Sequence, residues 1–174
     1  MLNRLLKISL LFLLPCFLVK AGLAQASKEA SLKGAFIYNF TKYIDWETNN
    51  NDDNFVIGVI GSSPVTETLM QIAKTNTTKN KKIVIKVFNK PEDITQCNVL
   101  FIPRKNPFSL QSILANVGKG VLTVSEETDY AREGTALNFI VLEDRLKFEA
   151  NVNTINAAGL KASSQLLKLA VIVY

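Results

Sequence analysis

Hydrophobic residues along the chain change their spacing from one segment to the next, and this spacing predicts the order of helices and strands. Across residues 27–46 apolar side chains recur every three or four positions, which predicts an amphipathic helix. Residues 55–60 instead form a short, unbroken apolar run, which is typical of a strand covered on both faces. The same two patterns predict further strands at 81–88, 98–102 and 121–124, and helices at 64–75 and 107–117.

The last part of the chain predicts a hairpin followed by a long helix. Two strand-like segments, 136–142 and 145–151, are separated only by a two-residue polar loop, as in a tight hairpin. Residues 153–170 then carry apolar side chains on a broad helical face, although Gly159 costs about 1 kcal/mol relative to alanine inside a helix. A close approach of helix and sheet would explain this glycine. Residues 171–174 either extend the helix or add a strand to the sheet edge.

Strands that alternate with helices predict a parallel sheet with crossover helices. We therefore expect an α/β fold: a single three-layer domain with a mostly parallel sheet, helical crossovers, a C-terminal antiparallel hairpin and a closing helix. Neither an internal repeat nor a long linker divides the sequence. Residues 27–174 are expected to fold as one unit.

The first residues follow a different pattern. Basic residues at Arg4 and Lys7 precede an apolar run at 8–19, and small residues follow it up to Ala26. This order is typical of a secretory signal peptide, with cleavage after Ala26 or Ala24. The run is shorter than the about 20 residues that a membrane-spanning helix needs. We therefore expect removal of residues 1–26 and export of the rest.

Charge and composition exclude several functions. The net charge is +5, but Arg4, Lys7 and Lys20 leave with the leader and lower it to +2, which does not indicate nucleic acid as a partner. The chain contains no histidine, so it lacks the usual general base and the commonest zinc ligand. We expect no enzyme activity, no metal and no cofactor. A hydrolase based on paired carboxylates remains an alternative.

One candidate for partner binding lies on the first predicted helix. Tyr38 falls opposite the apolar stripe, among small and polar residues. It is therefore either a core residue of a helix with two buried faces or part of a contact surface. Lys42 and Trp46 complete this candidate, because aromatic anchors and a neighbouring charge are typical of protein interfaces.

Two further candidates lie on the predicted sheet. Gly61, Ser62 and Ser63 follow the first buried strand, at the edge where open parallel sheets bind ligands. They predict an alternative function, that of a small-molecule receptor. Cys97 is the one cysteine that remains after the leader is removed. It is either a small buried residue or a thiol that forms an intermolecular disulfide.

Several stretches of the sequence resemble motifs of the YfiR-like family (DUF4154). Residues 32–46, LKGAFIYNFTKYIDW, are similar to its opening helix, K-A-A-F-I-Y-N-F-x-K-F-x-x-W. Residues 97–102, CNVLFI, resemble its C-H-I-L-F-I strand, with Asn98 in place of the histidine. The closing motifs L-T-V-S/G, I-x-F-x-I-N and G-L-x-x-S-x-x-L-L-x-L-A match 121–125, 146–151 and 159–170.

The resemblance implies a non-catalytic periplasmic regulator. Members of this family bind the periplasmic sensory region of a membrane diguanylate cyclase and repress it, which controls cyclic di-GMP and biofilm formation. An OmpA-like outer-membrane lipoprotein can sequester them, and homodimers are described. Activation through a disulfide within one chain does not carry over, because Cys97 has no partner in the mature sequence. We therefore expect a binding protein whose partner is an inner-membrane cyclase or another sensor protein.

Overall fold

The computed structural model describes residues 25–46, 53–171 and 173–174. Residues 1–24 of the predicted leader lie outside the described residues, so cleavage of the leader stays a prediction. The elements follow in this order: α1 (25–43), β1 (Ile44–Trp46), β2 (Asn54–Ile60), α2 (Val65–Thr75), β3 (Thr77–Thr78), β4 (Lys81–Phe88), a 3-10 turn (Pro91–Asp93), β5 (Val99–Ile102), α3 (Leu110–Leu114), β6 (Leu122–Ser125), β7 (Leu137–Leu142), β8 (Arg145–Ala150), α4 (Val152–Ala157), β9 (Leu160–Ala162) and α5 (Ser164–Leu169).

Within the described residues, seven strands form the main sheet, in the order β3–β4–β2–β5–β6–β7–β8. The five strands from β4 to β7 in this order run parallel, whereas β3 and β8 pair antiparallel at the two ends. All four residues of β5 are buried. Because an entirely apolar strand has no side to turn towards water, it needs helices on both faces of the sheet.

Helices cover both faces. On one face α1 packs through Phe36 and Phe40 against Phe139 and Phe148 of the hairpin, with ring centroids 4.9–6.2 Å apart. Residues of α2, α4 and α5 join the same apolar cluster, whereas those of α3 join a second cluster on the other face. The three-layer α/β domain with a mostly parallel sheet and a C-terminal hairpin is confirmed.

The first helix ends earlier than the sequence predicts. It stops at residue 43, and Ile44–Trp46 forms β1, which pairs antiparallel with β9 in a separate two-stranded sheet. The Ser163 N–H donates a hydrogen bond of 2.9 Å to the Tyr43 carbonyl oxygen, which satisfies one of the orphan carbonyls of the helix end. Residues 44–46 keep a helical spacing of apolar side chains, and the pairing with β9 makes them extended.

The prediction of one closing helix over 153–170 is wrong. The segment contains α4, β9 and α5 instead. Gly159 has a φ of +74° and follows the last turn of α4, where a left-handed residue commonly ends a helix. The Ser163 hydroxyl then accepts a hydrogen bond of 3.2 Å from the Leu166 N–H and begins α5. A Cβ at Gly159 would meet nothing within 4 Å, so the glycine serves the turn and not a close approach to the sheet.

Residues after α5 add to the sheet edge and do not extend the helix. Val173 forms a parallel bridge with Ala150 of β8, and the Tyr174 N–H donates a hydrogen bond of 2.9 Å to the Ala150 carbonyl oxygen. The Val171 N–H donates likewise to Phe148 at 2.9 Å. This segment covers part of the outer edge of β8.

Candidate functional site

Tyr38 and Lys42 lie one turn apart on α1 and contact each other. The Lys42 ammonium is 4.2 Å from the centroid of the Tyr38 ring, a cation–π contact worth about 0.5–1 kcal/mol at an exposed site. Lys42 is exposed, whereas Tyr38 is half-buried and its hydroxyl donates a hydrogen bond of 3.3 Å to the Thr77 carbonyl oxygen. Tyr38 therefore packs against β3 and carries an exposed cation on its ring, and its role as a partner contact stays a prediction.

The same side of α1 packs closely against α2 and β3. A Cβ at Gly34 would lie only 2.5 Å from the Thr68 Cγ2 atom, so the glycine allows the two helices to approach. Thr41 is buried, and its hydroxyl shares a hydrogen bond of 2.7 Å with that of Thr78. The first helix thus has two buried faces, and Tyr38 lies at the border of the second.

Trp46 lies at the end of β1 and is fixed by contacts within the chain. Its Nε1–H donates a hydrogen bond of 2.9 Å to the Gly120 carbonyl oxygen. The indole ring meets the Phe55 ring edge-on, with centroids 5.1 Å apart, and the Lys79 ammonium is 6.0 Å from its centroid. The indole N–H of this predicted contact residue is therefore already used inside the molecule.

A cavity of about 410 Å³ opens beside Trp46 at the amino ends of β5 and β6. The residues that line it include Gln96, Asn98, Asn116 and the loop at 118–120. A second cavity of about 270 Å³ shares Gln96 and Asn98 with the first. Cys97 lines both cavities, so the structure brings together two residues, Trp46 and Cys97, that the sequence places in separate groups.

Cys97 is buried, with 5% of its surface exposed. Burial raises the pKa of the Cys97 thiol to about 12, and the Lys86 ammonium opposes only part of that shift. The thiol therefore stays neutral at physiological pH, and a disulfide to another chain would require local opening of the structure.

Gly61, Ser62 and Ser63 lie at the opposite, carboxyl end of the sheet. Gly61 has a φ of +74°, and its N–H donates a hydrogen bond of 2.8 Å to the Phe88 carbonyl oxygen. The Ser63 hydroxyl accepts a hydrogen bond of 3.2 Å from a backbone N–H at the start of α2. These are the bonds of a tight strand-to-helix turn, and neither of the two cavities above is lined by any of the three residues.

A buried ionic cluster at this carboxyl edge was not predicted. Lys33 of α1 forms an ion pair with Glu126, which follows β6, and a second with Glu29 at 2.6 Å. Glu126 also accepts a hydrogen bond of 2.9 Å from the Arg104 backbone N–H. The sequence did carry a signal, because Lys33 lies four residues before the buried Ile37 and therefore on a buried face of the helix.

Among the described residues, the two buried carboxylates lie on opposite faces of the sheet. Glu149 accepts hydrogen bonds of 3.0 Å from Asn138 Nδ2 and from the Tyr174 hydroxyl. It follows Phe148, which faces α1, so Glu149 faces the other way. Glu126 instead reaches α1. The paired acids that a carboxylate-based hydrolase needs are therefore not formed by these two residues.

Among the described residues, no three cysteine, aspartate or glutamate side chains lie together in a way that could hold a metal ion. Within the same residues, no helix has the length and apolar character needed to cross a bilayer.

The fold and the site define a three-layer α/β domain with polar cavities at the amino ends of its parallel strands. The chain belongs to the YfiR/HmsC-like family, DUF4154, whose match covers residues 30–171. This match confirms the resemblance of the sequence motifs, and the family is one of regulatory, non-catalytic proteins in periplasmic control of diguanylate cyclase signalling. A search of curated protein sequences finds no match to the chain.

Proposed function

We propose that this chain is an exported periplasmic protein that binds the sensory region of an inner-membrane diguanylate cyclase and represses its output. The observation that carries the proposal is the family match over residues 30–171, which includes the whole main sheet and α1 from residue 30 onwards. The signal-peptide pattern of residues 1–26 supports export.

Repression of this kind needs no chemistry on the part of the regulator. A protein that binds the inactive state of a sensory region more tightly than the active state shifts the population towards the inactive state. A coupling free energy of about 1–3 kcal/mol changes the equilibrium by about 5- to 150-fold. An interface of ordinary size supplies such a difference.

The Tyr38–Lys42 pair is the part of α1 that we assign to the partner interface. It offers an aromatic ring with an exposed cation on it, on a helix that packs closely against α2. Aromatic residues and well-placed charges contribute most of the binding free energy in interfaces. A partner surface with a carboxylate opposite Lys42 would complement it.

Calorimetry with the purified protein and the isolated periplasmic region of the cyclase tests the proposal. We expect saturable binding that Lys42→Glu weakens at least tenfold, because the charge opposite the partner is reversed. Lys74→Glu is the matched control, since Lys74 is an exposed lysine on α2. No binding by the unmodified protein refutes the proposed partner, and equal affinities of the two variants refute the assigned surface.

A gene deletion provides the corresponding test in cells. Loss of a repressor is expected to raise cyclic di-GMP and biofilm formation, and expression of the unmodified gene should reverse both. Unchanged cyclic di-GMP after deletion, with the cyclase present, argues against repression.

Two further associations belong to the same proposal. We propose that the protein forms a homodimer and that an OmpA-like outer-membrane lipoprotein sequesters it. Light scattering on the purified protein is expected to give twice the mass of the mature chain. A monomer at micromolar concentration would remove the dimer from the proposal and leave repression of the cyclase standing.

A further inference from the structure

The cavity beside Trp46 has the size and the lining of a ligand site. Its volume of about 410 Å³ lies within the range of about 300–1,000 Å³ typical of small-molecule pockets. It is formed where Cys97 and Asn98 enter β5, where the loop 118–120 enters β6, and where Trp46 ends β1. Three separate parts of the chain therefore converge on it.

The polar groups of the lining are neutral or positively charged. Gln96, Asn98 and Asn116 carry amides, Thr95 a hydroxyl and Lys119 an ammonium group. The Asn116 Nδ2 group donates one of its two hydrogens to the Ser112 carbonyl oxygen at 3.0 Å, so one remains for a ligand. Among the described residues that line this cavity, none carries a carboxylate. Amide N–H, hydroxyl and ammonium groups are hydrogen-bond donors, and such groups together favour an anion.

More positive charge surrounds the cavity. Lys79 lies over the Trp46 ring at 6.0 Å, and Lys86 lines the adjoining cavity together with Asp53. The thiol of Cys97 is neutral, so it does not repel an anion. Among the described residues that line the cavity beside Trp46 itself, Lys119 is the charged one, and a concave site lined by positive charge raises the local concentration of anions.

Hydrogen bonds hold the lining in place. The carbonyl of Gly120 accepts from the Trp46 indole at 2.9 Å, and its N–H donates to the Ala158 carbonyl at 2.7 Å. The Asn98 Oδ1 atom accepts from the Val56 N–H at 2.8 Å, which leaves the Nδ2 group of Asn98 to donate to a ligand. Donors fixed before binding reduce the entropy lost when a ligand binds.

We propose that this cavity binds a small anion whose carboxylate or phosphate group contacts Lys119 and the amides of Asn98 and Asn116. The site goes beyond the proposed repression of a cyclase and does not depend on it. It lies at the amino ends of the strands, away from the turn at Gly61, Ser62 and Ser63 that the sequence favoured for a small-molecule receptor.

Trp46 makes the proposal directly measurable, because it is the single tryptophan of the chain. Its fluorescence reports on the wall of the cavity without a label. The test is a titration of the purified protein with sodium citrate and, in a separate series, with sodium phosphate. Sodium chloride at the same ionic strength is the control for screening. Citrate tests a carboxylate ligand and phosphate tests a phosphate ligand.

We expect a saturable change in Trp46 fluorescence with at least one of the two anions and none with chloride. Lys119→Gln should weaken this binding about tenfold or more, because a hydrogen bond to a charged group is lost. Lys74→Gln, on the surface of α2, should leave the affinity unchanged. Lys119 is exposed, so its variant is expected to fold.

Three results would overturn the proposal. The first is a fluorescence change that sodium chloride reproduces. The second is the lack of a saturable fluorescence change with either citrate or phosphate. The third is an equal affinity of Lys119→Gln and the unmodified protein for the anion. The assay uses no partner protein. Its failure therefore leaves cyclase repression untouched, and failure of cyclase binding leaves the anion site untouched.

Discussion

Lys33 of α1 and Glu126 at the end of β6 form an ion pair in which both residues are less than a tenth exposed. Lys33 also pairs with the more exposed Glu29, and Glu126 accepts the backbone N–H of Arg104. The pair ties the first helix to the carboxyl edge of the sheet. Because water is largely excluded, each charge is stabilised by its partner, and loss of one partner leaves the other charge buried and uncompensated.

Removal of one partner of this pair is expected to be costly. Lys33→Met leaves the Glu126 carboxylate buried without its cation, and should lower the free energy of unfolding by about 3 kcal/mol. Urea denaturation, monitored by circular dichroism, measures this change in the free energy of unfolding. Lys28→Met, an exposed lysine of the same helix, is the control and should stay within about 0.5 kcal/mol.

A double variant separates the lost charge from the lost packing. Lys33→Met combined with Glu126→Leu removes both charges, and should recover most of the stability lost by Lys33→Met alone. A double variant as unstable as the sum of the two single ones would show that the ionic pairing is not the cause.

The contact between Gly34 and Thr68 predicts an overpacking effect. Gly34→Val places a side chain where even a Cβ would lie 2.5 Å from Thr68 Cγ2. It should lower the free energy of unfolding by about 1–3 kcal/mol. Thr68→Ser removes that methyl group, so the double-mutant cycle should show a favourable coupling between the two positions, measured by urea denaturation. Additive effects would contradict the close contact.

Gly159 ends α4 in the left-handed region, so a side chain should be unfavourable there. Gly159→Ala has open space around its Cβ, but its φ of +74° costs about 1–2 kcal/mol in an L-residue. Gly118→Ala is a matched control, because its Cβ also meets nothing within 4 Å and its φ lies outside the left-handed range. Equal melting temperatures for the two variants would refute this account of the turn.

Burial should protect Cys97 from thiol reagents. Its pKa rises from 9.0 to about 12, so thiolate at pH 8 is about a thousandfold scarcer than in an exposed cysteine. Ellman's reagent is expected to react slowly with the folded protein and rapidly in denaturant. Rapid reaction of the folded protein would support the alternative of an intermolecular disulfide.

The same shift gives the stability a pH dependence. The folded-state pKa lies above the unfolded value, so the neutral thiol stabilises the fold fully below pH 9, and this contribution is lost as the pH rises towards 12. Between pH 8 and pH 10 the free energy of unfolding should fall by about 1 kcal/mol more for the unmodified protein than for Cys97→Val. Parallel curves for the two proteins would contradict the shift.

Patterns within one segment of the sequence predicted most of the sheet, because strands such as β5 are unbroken apolar runs. The limits of the helices depend on contacts between distant segments. Ile44 fits the helical stripe of α1, yet its pairing with Ala162 makes it a strand residue. Leu32, an apolar residue of the predicted stripe, is 45% exposed, whereas Gly34 and Thr41, which are outside that stripe, lie on the second buried face of α1.

The candidate site could be predicted only in part. Trp46 and Cys97 are both visible in the sequence, but no local pattern shows that they line one cavity. Lys119 and Asn116 join them because β6 lies beside β5. The Lys33–Glu126 pair was missed because charges in a sequence are normally assigned to the surface, and their burial depends on tertiary packing.

The two-stranded sheet of β1 and β9 has a consequence for the order of folding. Ile44 follows α1 early in the chain, yet the residue opposite it in the two-stranded sheet is Ala162, and pairing between residues so far apart in sequence forms slowly. During synthesis β1 cannot pair with β9 until the chain has been made as far as residue 162. Late closure of this kind leaves β1 without its partner strand while the residues of the main sheet are being made.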